Sequence, residues 1–116
     1  MIESSIRIIP PKKAVKVLEE AIKEYDFVIA NSVDNSENYF YKGIAYYRLS
    51  RFDEAVLANT MALQQNPNMG GAYSNRSAAF NNLGEFSNAL SDALKAKNMG
   101  QNVTEAYLEE IRNKVK

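Results

Sequence analysis

The feature that most constrains this chain is a spacing of 34 residues that recurs along most of its length. Three sets of like residues keep this interval: Tyr39, Tyr73 and Tyr107; Ala21, Ala55 and Ala89; Asp34, Asn68 and Asn102. A fixed period of this length is typical of solenoids, in which each structural unit buries its apolar face against the next unit. The repeat therefore predicts a stack of similar units instead of a closed bundle.

The composition allows one folded domain and excludes several kinds of site. The 116 residues are 46% hydrophobic, which is enough for a continuous core. Fourteen basic residues balance fourteen acidic ones, so the chain lacks the basic surface that attracts nucleic acid or anionic membranes. Cys and His are absent, which excludes disulfides, thiolate nucleophiles, imidazole bases and Cys/His zinc sites. We expect no cofactor, no metal and no nucleic-acid partner.

The first eleven residues differ from the rest. Four isoleucines surround a short polar stretch, and Pro10 and Pro11 disfavour helical geometry in the residue before each of them. We expect an extended leader over residues 1–11. It lacks the apolar run of a secretory signal, and no later stretch reaches the about 20 apolar residues of a membrane span. The sequence therefore predicts a cytoplasmic protein with no membrane partner.

From residue 12 onwards, apolar residues recur at steps of three and four, which indicates amphipathic helices. Turn and cap residues divide the pattern into about six helices, at 11–31, 35–49, 52–65, 70–83, 85–98 and 103–116. Asp34 and Asn68 are the predicted N-caps of the second and fourth helices, and Gly84 and Gly100 are predicted to permit turns. Short connections make neighbouring helices antiparallel. The predicted fold is all-α, a right-handed α-solenoid of antiparallel helix pairs.

Two stretches, 36–69 and 70–103, resemble the tetratricopeptide repeat family, which has large, small and aromatic residues at fixed positions and a proline near position 32. The matching residues are Tyr39, Gly43, Tyr46, Ala55, Ala62 and Pro67 in the first unit, and Tyr73, Ser77, Phe80, Ala89 and Ala96 in the second. The resemblance implies a single domain over residues 12–116. It would consist of a half-repeat (12–35), two repeats (36–69 and 70–103) and a capping helix (103–116).

Three residues depart from the family pattern. Lys42 and Arg76 stand at position seven, which is usually apolar, and Gln101 replaces the proline of the second unit. We expect all three at the surface.

In this family the first helix of each pair lines a concave groove, and the resemblance carries that role onto one face of this chain. The predicted peptide-groove residues are Phe40, Tyr41, Ile44, Tyr47, Arg48, Asn75, Asn81 and Asn82. The same face continues through Glu37, Gly71, Ser74, Ala78, Glu105, Leu108, Glu109 and Arg112. Exposed aromatic side chains of this kind mark partner surfaces, and asparagine amides can bond to a peptide backbone. The alternative is that the fourth helix or the leader covers these aromatics.

The stretch AYSNRSAAF resembles a middle repeat of co-chaperones that clamp the acidic C-terminus of heat-shock chaperones, with Asn75 at the shared asparagine position. The other clamp positions carry Phe40, Ile44, Glu105 and Glu109 where that subfamily has Lys, Asn, Lys and Arg. Because two acidic residues would repel a carboxylate, the sequence predicts that an acidic chaperone tail does not bind.

The sequence thus predicts a non-catalytic adaptor that binds a protein or peptide partner in its groove. The alternative is a self-assembling structural protein that forms a homo-oligomer through the groove or the terminal helix. An enzyme is not expected, because the carboxylate pairs Glu19-Glu20 and Glu109-Glu110 have no base or metal ligand set beside them. RNA binding is not expected either, since too few cations accompany the groove aromatics.

Overall fold

The computed structural model describes residues 10–115, and this part of the chain forms six α-helices and no strand. The helices are α1 (Lys12–Ala30), α2 (Ser36–Arg48), α3 (Phe52–Gln65), α4 (Gly70–Asn82), α5 (Phe86–Asn98) and α6 (Glu105–Val115). The all-α prediction is confirmed. The predicted leader, apart from Pro10 and Pro11, lies outside the described residues, and so does Lys116. Between residues 10 and 115, no helix is both long and apolar enough to cross a bilayer.

The helices form a stack in chain order. Each helix packs against the next one, and α2 also contacts α4. The molecule measures 43 × 34 × 20 Å, so it is markedly thinner in one direction. The contact between α2 and α4 places the first helices of the two predicted repeats side by side, and this brings their predicted groove faces together.

Many of the fully buried side chains are alanines. The side chains with no exposed surface include Ala55, Ala62, Ala72, Ala79, Ala89, Ala93 and Ala96. Small side chains allow neighbouring helices to approach closely, while Tyr39, Phe40 and Tyr46 pack against the buried clusters from the side. At the end of the stack, Leu108 and Ile111 are buried as α6 packs against α5.

The predicted helices agree with the observed ones to within about two residues, but both predicted N-caps are wrong. Asn35, and not Asp34, is the N-cap of α2, although Asp34 Oδ1 accepts a hydrogen bond from the backbone N–H of Ser36 at 3.3 Å. The backbone N–H of Asn35 donates to Gln65 Oε1 of α3 at 2.7 Å. Met69, and not Asn68, is the N-cap of α4. Helix α2 thus begins one residue later than predicted, at Ser36, while α4 begins at Gly70, as predicted.

Helix α6 begins at Glu105 and not at Val103. The reason is Thr104, whose Oγ1 accepts a hydrogen bond from the backbone N–H of Tyr107 at 3.1 Å, as an N-cap side chain does. The predicted glycine turns are present, since Gly84 and Gly100 have φ of 78° and 87°. Ser50, which stands 34 residues before Gly84, adopts the same left-handed region with φ 60°.

The expectation that the position-seven cations lie at the surface is wrong. The Arg76 side chain is only 19% exposed, and its guanidinium donates to both carboxylate oxygens of the buried Asp92, at 2.7 and 2.9 Å. It also donates to Thr60 Oγ1 at 3.0 Å. The hydrogen bond to Asp92 is the main cause that raises the pKa of Arg76. Lys42 is 20% exposed and pairs with Asp26 of α1, so both cations are partly buried beside an anion. Gln101 is exposed, as expected.

Candidate functional site

Two adjoining pockets follow helix α4 and together form an open groove. The first, of about 290 Å³, is lined by Phe40, Ile44, Gly71, Ser74, Asn75, Ala78 and Gln101. The second, of about 310 Å³, is lined by Ser74, Ser77, Ala78, Ala93, Asn102, Val103, Thr104 and Tyr107. Ser74 and Ala78 line both pockets, so the groove passes over the small side chains of α4. We call these two pockets the α2–α4 pocket and the α4–α6 pocket.

The α2–α4 pocket brings together three of the predicted groove residues, namely Phe40, Ile44 and Asn75. Phe40 lies very close to Gly71, since a Cβ atom added at Gly71 would be 2.8 Å from Phe40 Cζ. Part of the Phe40 ring is therefore covered by α4, as the alternative interpretation predicted. The remaining surface of Phe40 and Ile44 forms an apolar wall opposite the Asn75 amide.

Tyr47 and Asn82 lie farther along the same two helices and contact each other. The Asn82 amide donates to the Tyr47 hydroxyl at 3.3 Å and to the Ala78 carbonyl at 2.9 Å. The Tyr47 ring packs edge-on against the buried Phe52, with the centroids 5.3 Å apart. Tyr47 is thus half-buried, and it contributes to the core as well as to the surface beside the groove.

The other predicted groove residues line neither pocket. Tyr41 stacks on Tyr25 of α1 and remains 45% exposed, while Arg48 is exposed at the end of α2. Asn81 is half-buried, and its Oδ1 is buried with no hydrogen-bond partner among residues 10–115. A ligand role for these three residues stays a prediction. Leu108, which the resemblance placed on the concave face, is a core residue with 1% exposure.

A chain of hydroxyl groups closes one side of the α4–α6 pocket. Ser77 Oγ lies 2.7 Å from the Ala89 carbonyl and 2.9 Å from the Tyr107 hydroxyl. A carbonyl can only accept, so the Ser77 hydroxyl donates to Ala89 and the Tyr107 hydroxyl donates to Ser77. The Tyr107 hydroxyl is protonated at neutral pH, as an ordinary tyrosine is, and burial raises its pKa further. The side of the pocket next to α6 is therefore uncharged at this point.

One of the two carboxylates expected to repel acidic ligands has a cationic partner. Glu105 forms an ion pair with Lys97 of α5, and the hydrogen bond from Lys97 lowers the pKa of Glu105. Glu109 is exposed on α6. The negative charge at this end of the groove is thus smaller than the sequence alone indicated.

The structure adds one residue that the sequence reasoning missed. Asn59 of α3 has no exposed surface, and its Nδ2 donates to Asn75 Oδ1 at 2.6 Å. The sequence held a signal for it, because Asn59 is a polar residue on the buried face of α3 that also carries Ala55 and Leu63. Its link to the groove could not be read from that pattern, since Asn75 belongs to another helix.

Comparison with known protein families gives no matching family model. The chain is 35% identical over 66 residues to Hsp70-Hsp90 organizing protein 3 of Arabidopsis thaliana. The match covers 57% of this chain and 12% of that protein, so the chain corresponds to a small part of its relative.

Among solved structures, the chain is similar to the first TPR domain of Spaghetti (RPAP3) bound to the HSP90 peptide SRMEEVD. The TM-score is 0.71 at 22% sequence identity, and the similarity covers 92% of this chain and 94% of that one. Three observations agree. The six helices are stacked, buried alanines recur at the 34-residue interval, and the similarity extends over nearly the whole of both chains. The chain has the tetratricopeptide repeat fold, as its sequence predicted.

Proposed function

We propose that this chain is a non-catalytic protein-interaction module that acts as an adaptor and binds a peptide segment in the groove along α4. The observation that carries the proposal is the α2–α4 pocket. It combines an apolar wall of Phe40 and Ile44 with the Asn75 amide, whose Nδ2 has no partner among residues 10–115. A peptide offers both kinds of group, because its side chains can fill an apolar pocket while its backbone accepts hydrogen bonds.

The comparisons support a peptide as the ligand. The structural neighbour has the same fold and was solved with the peptide SRMEEVD bound. That peptide is acidic, which conflicts with the sequence-based expectation that acidic tails are excluded. The physical basis of that expectation is also weaker, since Glu105 is paired with Lys97. We therefore do not retain the exclusion, and the acidic heptapeptide belongs among the ligands to be tested.

A non-catalytic role agrees with the chemistry of the groove. The chain has no Cys or His, and the part that the structure describes holds no cluster of three or more carboxylates able to bind a metal ion. The Tyr107 hydroxyl lies at the edge of the groove, but it is protonated and already bonded to Ser77.

The test is to fill the groove without disturbing the core. Ala78 lines both pockets, and Ala78→Gln would place a neutral, helix-compatible side chain across them. Ala106→Gln is the matched control, because Ala106 is exposed on α6 and lines neither pocket. The wild-type protein is screened against an array of peptides that includes SRMEEVD, and the affinity of each captured peptide is then measured by calorimetry for all three proteins.

We expect Ala78→Gln to weaken binding at least about tenfold, or about 1.4 kcal/mol, while Ala106→Gln leaves it unchanged. The proposal that a peptide binds in the groove would be refuted if the wild-type protein captured no peptide. It would also be refuted if the two variants changed the affinity equally. Sedimentation across a range of concentrations tests the alternative of self-assembly, which requires an oligomer. Ala78→Gln should dissociate an oligomer that forms through the groove but not one that forms through the terminal helix.

A further inference from the structure

Asn59 of α3 is buried and contacts both α2 and α4, at Gly43 and Asn75. Its Nδ2 donates to the Ala55 carbonyl at 2.8 Å and to Asn75 Oδ1 at 2.6 Å. An amide nitrogen of this type carries two hydrogens, so both are used. Asn59 is therefore fixed by the backbone of its own helix and holds Asn75 from behind.

This pair of bonds determines which way both amides face. The Ala55 carbonyl only accepts hydrogen bonds, so the Asn59 atom that contacts it must be the nitrogen. The Asn75 atom that contacts this nitrogen must then be its oxygen. It follows that the free donors of Asn75 are on its Nδ2, because this nitrogen has no acceptor among residues 10–115. In the α2–α4 pocket, Asn75 can therefore donate through its nitrogen, while its oxygen already accepts one hydrogen bond from Asn59.

Asn59 has little room to change its conformation. A Cβ atom added at Gly43 of α2 would lie 2.7 Å from Asn59 Nδ2 and 3.0 Å from its Oδ1, so the Gly43 backbone lies against the amide. The Oδ1 of Asn59 is buried and has no hydrogen-bond partner in the described part of the chain. A leucine of nearly the same shape would avoid that unsatisfied oxygen but could not hold Asn75.

We propose that Asn59 is a positioning residue for the groove. It fixes Asn75 as a hydrogen-bond donor, so the ligand places an acceptor oxygen beside Asn75. A peptide offers two such oxygens, a backbone carbonyl and a C-terminal carboxylate, and both fit this chemistry. The inference rests on the proposed function, since it specifies what the peptide must present in the same pocket.

The amide orientation can be tested without any peptide. Hydrogen exchange of the side-chain amides, followed by NMR in the wild-type protein, should show slow exchange for both Asn59 protons and fast exchange for both Asn75 protons. The signals are assigned from Asn59→Leu and Asn75→Ala. Protection of the Asn75 protons together with fast exchange at Asn59 would overturn the proposed orientation.

The ligand chemistry is tested with Asn75→Asp. This variant keeps an oxygen for Asn59 to donate to, but it removes the donor that faces the groove. The probes are the peptides that the wild-type protein captures, together with SRMEEVD in free-acid and C-terminally amidated forms. We expect about tenfold weaker binding at both 150 and 500 mM salt, since charge repulsion would be screened at the higher concentration. If Asn75→Asp bound with unchanged affinity at high salt, the donor role of Asn75 would be refuted. Equal affinity for the free-acid and amidated forms of SRMEEVD would identify the acceptor as a backbone carbonyl.

The positioning role is tested by a double-mutant cycle. Asn59→Leu and Asn75→Ala should each weaken binding by a similar factor, and the double variant should bind no more weakly than Asn75→Ala alone. Additive losses would show that Asn59 does not act through Asn75. If the wild-type protein binds no peptide, the proposed function fails and the acceptor-oxygen part of the inference fails with it. The hydrogen-exchange result then still decides the orientation of the two amides.

Discussion

Two glycines on the first helices of the repeats should respond in opposite ways to the same substitution. Gly43 faces Asn59 and Gly71 faces Phe40, and in each case an added Cβ atom would come within 2.8 Å of the neighbour. The neighbours differ in their freedom to move. Asn59 is fully buried and bonded through both amide hydrogens, whereas the atom in contact with Gly71 is the far end of a half-buried ring that borders an open pocket.

The magnitudes follow from three contributions. Replacing a helical glycine by alanine gains up to about 1 kcal/mol of helix propensity, and less at Gly71 because it is the second residue of α4. At Gly43 this gain is opposed by overpacking, about 1–3 kcal/mol, and by the weakened Asn59–Asn75 hydrogen bond, about 1 kcal/mol. We therefore expect Gly43→Ala to lower the free energy of unfolding by about 1–3 kcal/mol. Gly71→Ala should be neutral or stabilising by up to about 0.5 kcal/mol, because the Phe40 ring can move into the groove.

Urea unfolding followed by far-UV circular dichroism measures both free energies, with the m-value as a check on the two-state assumption. A second experiment isolates the cause, since Asn59→Ala should remove most of the penalty when combined with Gly43→Ala. The reasoning fails if Gly43→Ala is as stable as Gly71→Ala, or if the double variant shows simple additivity.

Two further predictions concern the end of the stack. Ile111→Ala should lower the free energy of unfolding by about 2–5 kcal/mol, because Ile111 is fully buried. Val115 is 41% exposed, so Val115→Ala should lower it by about 0.5 kcal/mol or less. Equal urea midpoints for the two variants would show that α6 does not stabilise α5. Tyr107→Phe should cost about 1 kcal/mol near pH 7 through the lost bond to Ser77. The folded-state pKa of Tyr107 is raised above the unfolded value of about 10, so its contribution is complete below that pH and is lost as the pH rises through the folded pKa. Wild-type stability should therefore fall more steeply than that of the variant above about pH 10, and parallel curves would contradict the assignment.

The buried polar contacts explain where prediction from the sequence failed. Arg76 was expected at the surface because a single cation at a usually apolar position is most simply placed in solvent. Its partners Asp92 and Thr60 each lie 16 residues away on another helix. Asn59 and Asn75 are also 16 residues apart and join two helices in the same way. A local pattern describes one helix at a time, so it does not report which polar side chains meet across an interface.

The predicted groove residues divide for a similar reason. Helical spacing placed Phe40, Tyr41 and Ile44 on or near one face of α2, but the neighbouring helices decide what each one contacts. α4 lies beside Phe40 and Ile44 and leaves a pocket there, while α1 provides Tyr25 as a stacking partner for Tyr41. Tyr47 packs against Phe52 of the following helix.

The sequence by itself determined the class of the fold, the approximate helix boundaries and the buried alanines, because a 34-residue period records which face of each helix must be small and apolar. Only the tertiary structure decided where polar side chains are buried and which candidate residues converge. It pairs Arg76 with Asp92, and it bonds the Asn75 amide oxygen to the buried Asn59. These outcomes depend on the distance and rotation between neighbouring helices, which the periodicity of a single helix does not specify.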